Sequence, residues 1–354
     1  MKQPYTCYYE ITNQMAAWQE AIDVILSNYP RINAFFNTNP PNRIFFTGCT
    51  SPYYAGESAS TGWQPMLGIP TQAAPCSELV LFPDAYYCKG DNPILIVLSR
   101  SGKTTEALWA IDEFEKRYPG RSLLIGCSEN TPLDKLVSMS LHLPQGFDVT
   151  LPQTKSFSAM YLATQFMGAL LGKQEENIRI LKSAPQVFDG ILERTEEKIV
   201  KIMEDGDFDK IIYLGSGPLY GIAREATLKI MEMSFSNAFC FPFLESRHGP
   251  RSLFDEKTLV VGLMSHSGLR QEVRVLEEYT RDLGATTLAI VPDQNWVGDK
   301  TTHVISTLQD WPDEILGLAY LPVTQLIGYY RALKLGANPD VSKNTTAFIE
   351  IVEQ

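Results

Sequence analysis

The residues best suited to acid–base chemistry fall in two neighbouring segments. In 225–239, Glu225, Lys229 and Glu232 recur at helical spacing, and Glu232 stands between Met231 and Met233. A carboxylate in apolar surroundings holds its proton more tightly, which suits a general base acting on a carbon acid. The same spacing also reads as a surface Lys229–Glu232 ion pair at i,i+3. In 244–254, Arg247, His248 and Arg251 cluster around Gly249-Pro250, which excludes regular helix there. A charged loop with a histidine can transfer protons or open a sugar ring, or it is a solvated turn.

A third segment, "VLSRSGKTTEAL" at 97–108, ends an apolar run and contains Gly102-Lys103-Thr104. It is not a nucleotide P-loop, because Val97 stands where that loop needs its first glycine. It does read as a strand ending at Ser99, a tight turn at Gly102 and a helix starting near Thr104. The first N–H groups of such a helix lack internal partners and carry the positive end of its dipole. With the hydroxyls of Ser99, Ser101, Thr104 and Thr105 they form a cup for one phosphate dianion, or else an ordinary N-cap. A second hydroxyl-rich strand end, "TGCTSPYYAGESA" at 47–59, supplies Thr50 and Ser51. Two such ends in one parallel sheet favour a phosphorylated polyol as ligand.

The elements that must position these residues are legible as near-continuous apolar runs at 43–48, 93–99, 122–128, 210–216, 258–265 and 287–292. Such runs predict strands buried on both faces of a parallel sheet. Helical patterns at 104–118 (Leu108, Ile111, Phe114) and 269–283 (Val273, Leu276, Leu283) alternate with them. The result is an α/β, doubly wound fold. The chain also repeats itself. Ser99, Ser101, Gly102 and Glu106 match Ser265, Ser267, Gly268 and Glu272 at an offset of 166, Gly48 matches Gly215 at 167, and Asn130 matches Asn295 at 165. One spacing across three elements predicts an internal duplication. The expected organisation is an N-terminal helix within 1–29 (about Tyr8 to Ser27), a first domain at 30–172, a helical linker at 173–204 broken at Ser183–Pro185, and a second domain at 205–354.

Composition sets the outer limits. Of 354 residues 44% are hydrophobic and 20% charged, with a net charge of −11, which is ordinary for a globular protein and argues against a nucleic-acid partner. No apolar stretch is long enough for a membrane span, and the first residues lack the apolar core of a signal peptide, so a cytoplasmic protein is expected. Six cysteines form no CxxC pair and read as buried free thiols, and the four histidines are too scattered for a zinc site.

Taken in order, these motifs resemble the SIS (sugar isomerase) family of phosphosugar-binding proteins. The likeness is strongest to its double-domain branch, which holds the isomerase half of glucosamine-fructose-6-phosphate aminotransferase. The matching segments are "GCTSPYYAG", "SELVLF", "LSRSGKTTE", "QTKSF" and "MEMSFSNAFCFPFLESRHGP", within residues 40 to 354. The resemblance implies two tandem flavodoxin-like domains. It implies that Ser99, Ser101 and Thr104 hold a sugar 6-phosphate, with Thr50 and Ser51 supporting phosphate or hydroxyl groups. It makes Glu232 the base that moves a proton between C1 and C2. His248 becomes the ring-opening histidine supplied by a neighbouring subunit, so a homodimer with shared sites is implied.

Several positions depart from the family pattern. Arg100 replaces Gln and Lys103 replaces Glu, which makes the pocket more cationic. Gln153 replaces Ser among the substrate-binding positions. Ala347 stands where the family has a lysine for the sugar carbonyl, with Lys343 near but displaced, so Schiff-base chemistry is not carried over. The chain begins "MKQPY", where the aminotransferase has a glutaminase domain, so glutamine-dependent synthesis is not expected. The implied activity is isomerisation, deamination or deglycation of an amino-sugar or fructosamine 6-phosphate without metal or other cofactor. The alternative is a non-catalytic phosphosugar sensor.

Overall fold

The structure, a computed structural model, describes residues 5–296 and 301–346. Ala347 therefore lies outside the described residues. The chain divides into two compact units, each built on one sheet.

The first sheet belongs to the unit of residues 14–149 and 155–185. After α1 (Thr6–Thr12), which groups with the other unit, the elements run α2 (Met15–Asn37), β1 (Arg43–Gly48), α3 (Ser51–Leu67), β2 (Thr71–Pro75), α4 (Cys76–Leu81), α5 (Pro83–Tyr86), β3 (Pro93–Ser99), α6 (Thr105–Arg117), β4 (Ser122–Gly126), β5 (Met139–His142) and α7 (Lys155–Leu171). The strands are all parallel in the order β2-β1-β3-β4-β5. On one face Phe45, Val97 and Leu124 meet Ala107, Ile111 and Phe114 of α6 in a buried cluster. Each large apolar side chain buried in this way contributes about 1.5–3 kcal/mol. On the other face α7 packs against α2 and α3.

The second sheet belongs to the unit that takes in α1, residues 150–154 and residues 186–345. The elements are α8 (Glu175–Asp205), β6 (Lys210–Leu214), α9 (Pro218–Ser234), β7 (Asn237–Phe241), β8 (Thr258–Leu263), α10 (Leu269–Leu283), β9 (Thr286–Val291), β10 (His303–Ser306) and α11 (Asp313–Lys334). The order β7-β6-β8-β9-β10, again all parallel, repeats that of the first sheet strand for strand. The duplication seen in the sequence is thus one of topology, and both sheets have the flavodoxin-like order.

Four expectations need correction. The N-terminal helix is two helices, broken at Asn13–Gln14, and the second runs ten residues beyond Ser27 with Pro30 inside it. The linker helix α8 has no break at Ser183–Pro185, since Pro185 lies within it. Proline disfavours a helix interior by about 3 kcal/mol; for α2 the apolar face packed on α7 opposes that loss. The helix read over 225–239 ends at Ser234, and Asn237 already begins β7. Of the six cysteines, all free, only Cys7, Cys76 and Cys127 are buried as expected; Cys49 and Cys240 are half-buried and Cys88 is exposed. No described helix is long and apolar enough to cross a membrane.

Candidate active site

In a sheet of this order the connections leave β1 and β3 in opposite directions, so their carboxyl ends flank a crevice. The two hydroxyl-rich loops found in the sequence lie at those two ends. After β3, Ser99 Oγ accepts the Gly102 N–H at 3.0 Å, closing the turn. Gly102 has φ +64°, and a Cβ there would lie 2.2 Å from Thr131 Oγ1, so only glycine fits. Ser101 Oγ accepts the Lys103 N–H at 3.3 Å. Thr104 is the N-cap of α6 with extended backbone, yet its side chain makes no capping hydrogen bond. The plain N-cap explanation of this hydroxyl therefore fails. Arg100 is buried, with its guanidinium 6.0 Å from the centre of the Phe147 ring, and Lys103 is exposed. Of the two substituted cations, only Lys103 lies on the surface of the loop.

The loop after β1 is strained. Thr50 is the N-cap of α3 at φ 55°, ψ −116°. A β-branched residue at positive φ is disfavoured by about 1–3 kcal/mol. The same place in the second sheet, the N-cap of α9, is Gly217 at φ 55°, ψ −130°. The backbone is shared between the copies, and only the first copy holds a hydroxyl residue there. The Thr50 hydroxyl donates to Cys49 O at 2.7 Å and is exposed, and Ser51 is 1% exposed at the first turn of α3. Thr50→Gly is therefore expected to stabilise the fold by about 1 kcal/mol while weakening any sugar-phosphate binding. Urea unfolding with and without ligand would show both; a destabilised variant contradicts the strain argument.

The second copy of the β3 loop is wired differently. Gly268 N donates to Ser265 Oγ at 2.9 Å, as in the first copy. The Ser265 N–H and hydroxyl donate to the buried Glu272 carboxylate at 2.7 and 2.8 Å. Burial, the largest effect, pushes Glu272 up to about 7 against the pull of those bonds. His266 N and Ser267 N donate to the two oxygens of Asp313 at 2.7 and 3.0 Å. A carboxylate of the chain thus takes up these loop N–H groups in the second copy. In the first unit the helix after the last strand, α7, starts with Lys155 instead.

The acid–base candidates lie in the second unit. Lys229 is fully buried, with its ammonium 3.1 Å from Glu225 and 2.6 Å from Glu232. Burial alone would pull this lysine down; the two carboxylates outweigh it and hold it above its ordinary value. The surroundings of Glu232 are not apolar as expected: it faces this cation, its side chain is 20% exposed, and Met231 is exposed. Nor is the pair a surface pair, since Lys229 has no exposure. Ser342 donates to Glu232 O at 3.2 Å, and the Lys343 ammonium lies 4.2 Å above the Phe235 ring, just beyond α9. A cation is therefore present at the Glu232 end of that helix.

His248 is exposed and lies between two 3₁₀ turns, Glu245–Arg247 and Gly249–Leu253. Arg247 and Arg251 both pair with Glu278 of α10, so they hold the loop down. Glu232 lies in the last turn of α9, before β7, and His248 comes after that strand; no hydrogen bond or ion pair joins the two within the chain. Gln153 falls in the 150–154 segment, which groups with the second unit and not with the β1 and β3 loops. Sequence reasoning noted Lys229 only as a surface partner and missed Asp313, which has no motif to mark it. Among the described residues no group of three or more His, Cys, Asp or Glu side chains could hold a metal ion.

Residues 207–333 match the SIS domain family model. The chain is 28% identical over 352 residues to D-galactosamine-6-phosphate deaminase of Shewanella sp. (strain ANA-3), covering 94% of this chain and 86% of the relative. It is 24% identical to glutamine–fructose-6-phosphate aminotransferase [isomerizing] of Legionella pneumophila, where 96% of this chain spans only 56% of the relative. The crystal structure of tagatose-6-phosphate ketose/aldose isomerase from Escherichia coli superposes with a TM-score of 0.85 at 26% identity, covering 94% of each chain. The second half of the chain thus matches the SIS domain family model, and nearly the whole length is similar to a D-galactosamine-6-phosphate deaminase and to a tagatose-6-phosphate ketose/aldose isomerase.

Proposed function

We propose that the protein is a cytoplasmic enzyme that acts on an amino-sugar or fructosamine 6-phosphate by proton transfer between C1 and C2, without glutamine. The observation that carries this reading is Thr104, an N-cap whose hydroxyl caps nothing, at one side of the β1/β3 crevice. Ser101, Thr104 and the α6 N–H groups would receive the phosphate, with Thr50 and Ser51 on the β1 side. Ser99 would shape the turn, and buried Arg100 would act through its field. The second copy would take no phosphate, because Asp313 already occupies its donors.

Glu232 would remove the proton at C2 of the open-chain amino sugar and return it to C1. That shift turns the C1 aldehyde and C2 amine into a C2 imine by way of an enolamine. Water then releases the amine and leaves a ketose 6-phosphate. Lys229 would orient Glu232 throughout. His248 would assist ring opening from the second subunit of a homodimer, a reading that fits its exposure and the lack of any bond to Glu232 within the chain.

Subunit sharing has a direct test. Glu232→Gln and His248→Asn homodimers should each be inactive, and mixing them after mild dissociation should restore about a quarter of wild-type turnover, since half the dimers then hold one intact site. No recovery in mixed dimers confirmed by mass would contradict the sharing. The activity itself is tested by ammonia or amine release from glucosamine, galactosamine and fructosamine 6-phosphates. Stabilisation by these ligands without turnover of any would favour a phosphosugar sensor.

A further inference from the structure

We propose that Cys49 and Cys76 form a dithiol site that closes to a disulfide when the protein meets a peroxide. Gly48 and Pro75 are register partners on the adjacent parallel strands β1 and β2. Cys49 and Cys76 are the next residues on those two chains. Neighbouring strands lie about 4.8 Å apart, inside the roughly 4.4–6.8 Å that a disulfide spans between Cα atoms. Both side chains face the same way. Cys76 is part of the apolar cluster on the α6 face, and Cys49 packs against it. Thr47, two residues before Cys49 on β1, donates to Cys76 Sγ at 3.3 Å, which fixes that sulfur beside the end of β1. The other four cysteines lie on separate elements: in α1 (Cys7), after α5 (Cys88), after β4 (Cys127) and within β7 (Cys240).

Cys49 is partly accessible and Cys76 is buried, so Cys49 meets the oxidant first. Its sulfur attacks the peroxide O–O bond, giving a sulfenic acid and releasing water. The Cys76 sulfur then attacks that sulfenyl sulfur, the S–S bond forms and a second water leaves. Two thiols lose two electrons and two protons, and one hydrogen peroxide becomes two waters. The contact with Cys76, burial and the Glu106 carboxylate all push the Cys49 thiol well above its ordinary value, so the reaction is slow. The bond would tie down the residue next to strained Thr50, at the mouth of the β1/β3 crevice.

The full chain is incubated with hydrogen peroxide, unfolded in guanidinium and titrated for free thiols with Ellman's reagent. Four of the six thiols should remain, with all six recovered after dithiothreitol. Peptide mass mapping should place the link between Cys49 and Cys76, and Cys49→Ser or Cys76→Ser should keep the other five thiols under the same treatment. Six thiols left in the wild type, or a link through any other cysteine, would overturn the proposal. Should a serine variant fail to fold, the wild-type thiol count and mapped link decide alone. The experiment needs no substrate, so its result is independent of the proposed activity.

Discussion

Glu232→Gln should lower turnover on a sugar 6-phosphate by about 10²–10⁴-fold, the range for losing a positioned general base. The side chain keeps its shape and loses its ability to take a proton. Lys229 keeps Glu225 at 3.1 Å, so the helix retains a paired cation and the fold should survive. Substrate binding should persist, because the proposed phosphate donors are on the first sheet and are unaltered. The expected pattern is therefore a collapsed kcat with ligand-induced thermal stabilisation retained. Undiminished kcat would remove Glu232 from the chemistry. Loss of both turnover and stabilisation would instead make Glu232 a binding or structural residue.

Lys229→Met should destabilise the fold by about 3–5 kcal/mol, the usual result of removing one partner from a buried ion pair. Glu225 is 1% exposed and would lose the cation at its side. The pH dependence follows from the raised lysine. A basic group whose folded value lies above its unfolded value of about 10.4 stabilises fully below that value. That contribution fades as pH rises through the folded value. The gap between wild type and variant should thus be constant from neutral pH to about 10 and shrink above it. Urea unfolding at neutral and strongly alkaline pH measures this. A loss under 1 kcal/mol at neutral pH would contradict the buried-pair account. Adding Glu225→Leu to Lys229→Met should recover much of the loss, since apolar replacements remove the uncompensated charge.

The sequence revealed the interior of both sheets and hid their edges. All six strands read from apolar runs, β1, β3, β4, β6, β8 and β9, hold the three inner positions of a sheet. They are buried along nearly their whole length, so every residue is selected to be apolar. The four missed strands, β2, β5, β7 and β10, are all edge strands. Their burial is partial, as in β5, where buried and half-buried residues alternate, and four or five residues of mixed polarity leave no run to detect. A proline misled for a related reason. Pro185 looks like a helix stop locally, and only the folded chain shows otherwise.

The candidate site was legible where its chemistry is local. Ser99, Gly102 and Thr104 belong to one turn, so their spacing carries the information. The role of Asp313 was not legible, because it closes on a loop more than 40 residues earlier in the chain. Thr50 shows what pairing the copies adds. The offset of 167 sets it against Gly217, and the shared positive φ makes the threonine, not the glycine, the residue that needs explaining.

The most direct test of C1–C2 proton transfer is solvent deuterium incorporation followed by NMR. Glucosamine, galactosamine, fructosamine and fructose 6-phosphates would each be incubated in deuterium oxide with wild type and with Glu232→Gln. The account predicts deuterium at C1 or C2 of product or recovered substrate for at least one of them with wild type, and none with the variant. Absence of deuterium with every sugar, or equal incorporation by both proteins, would contradict it.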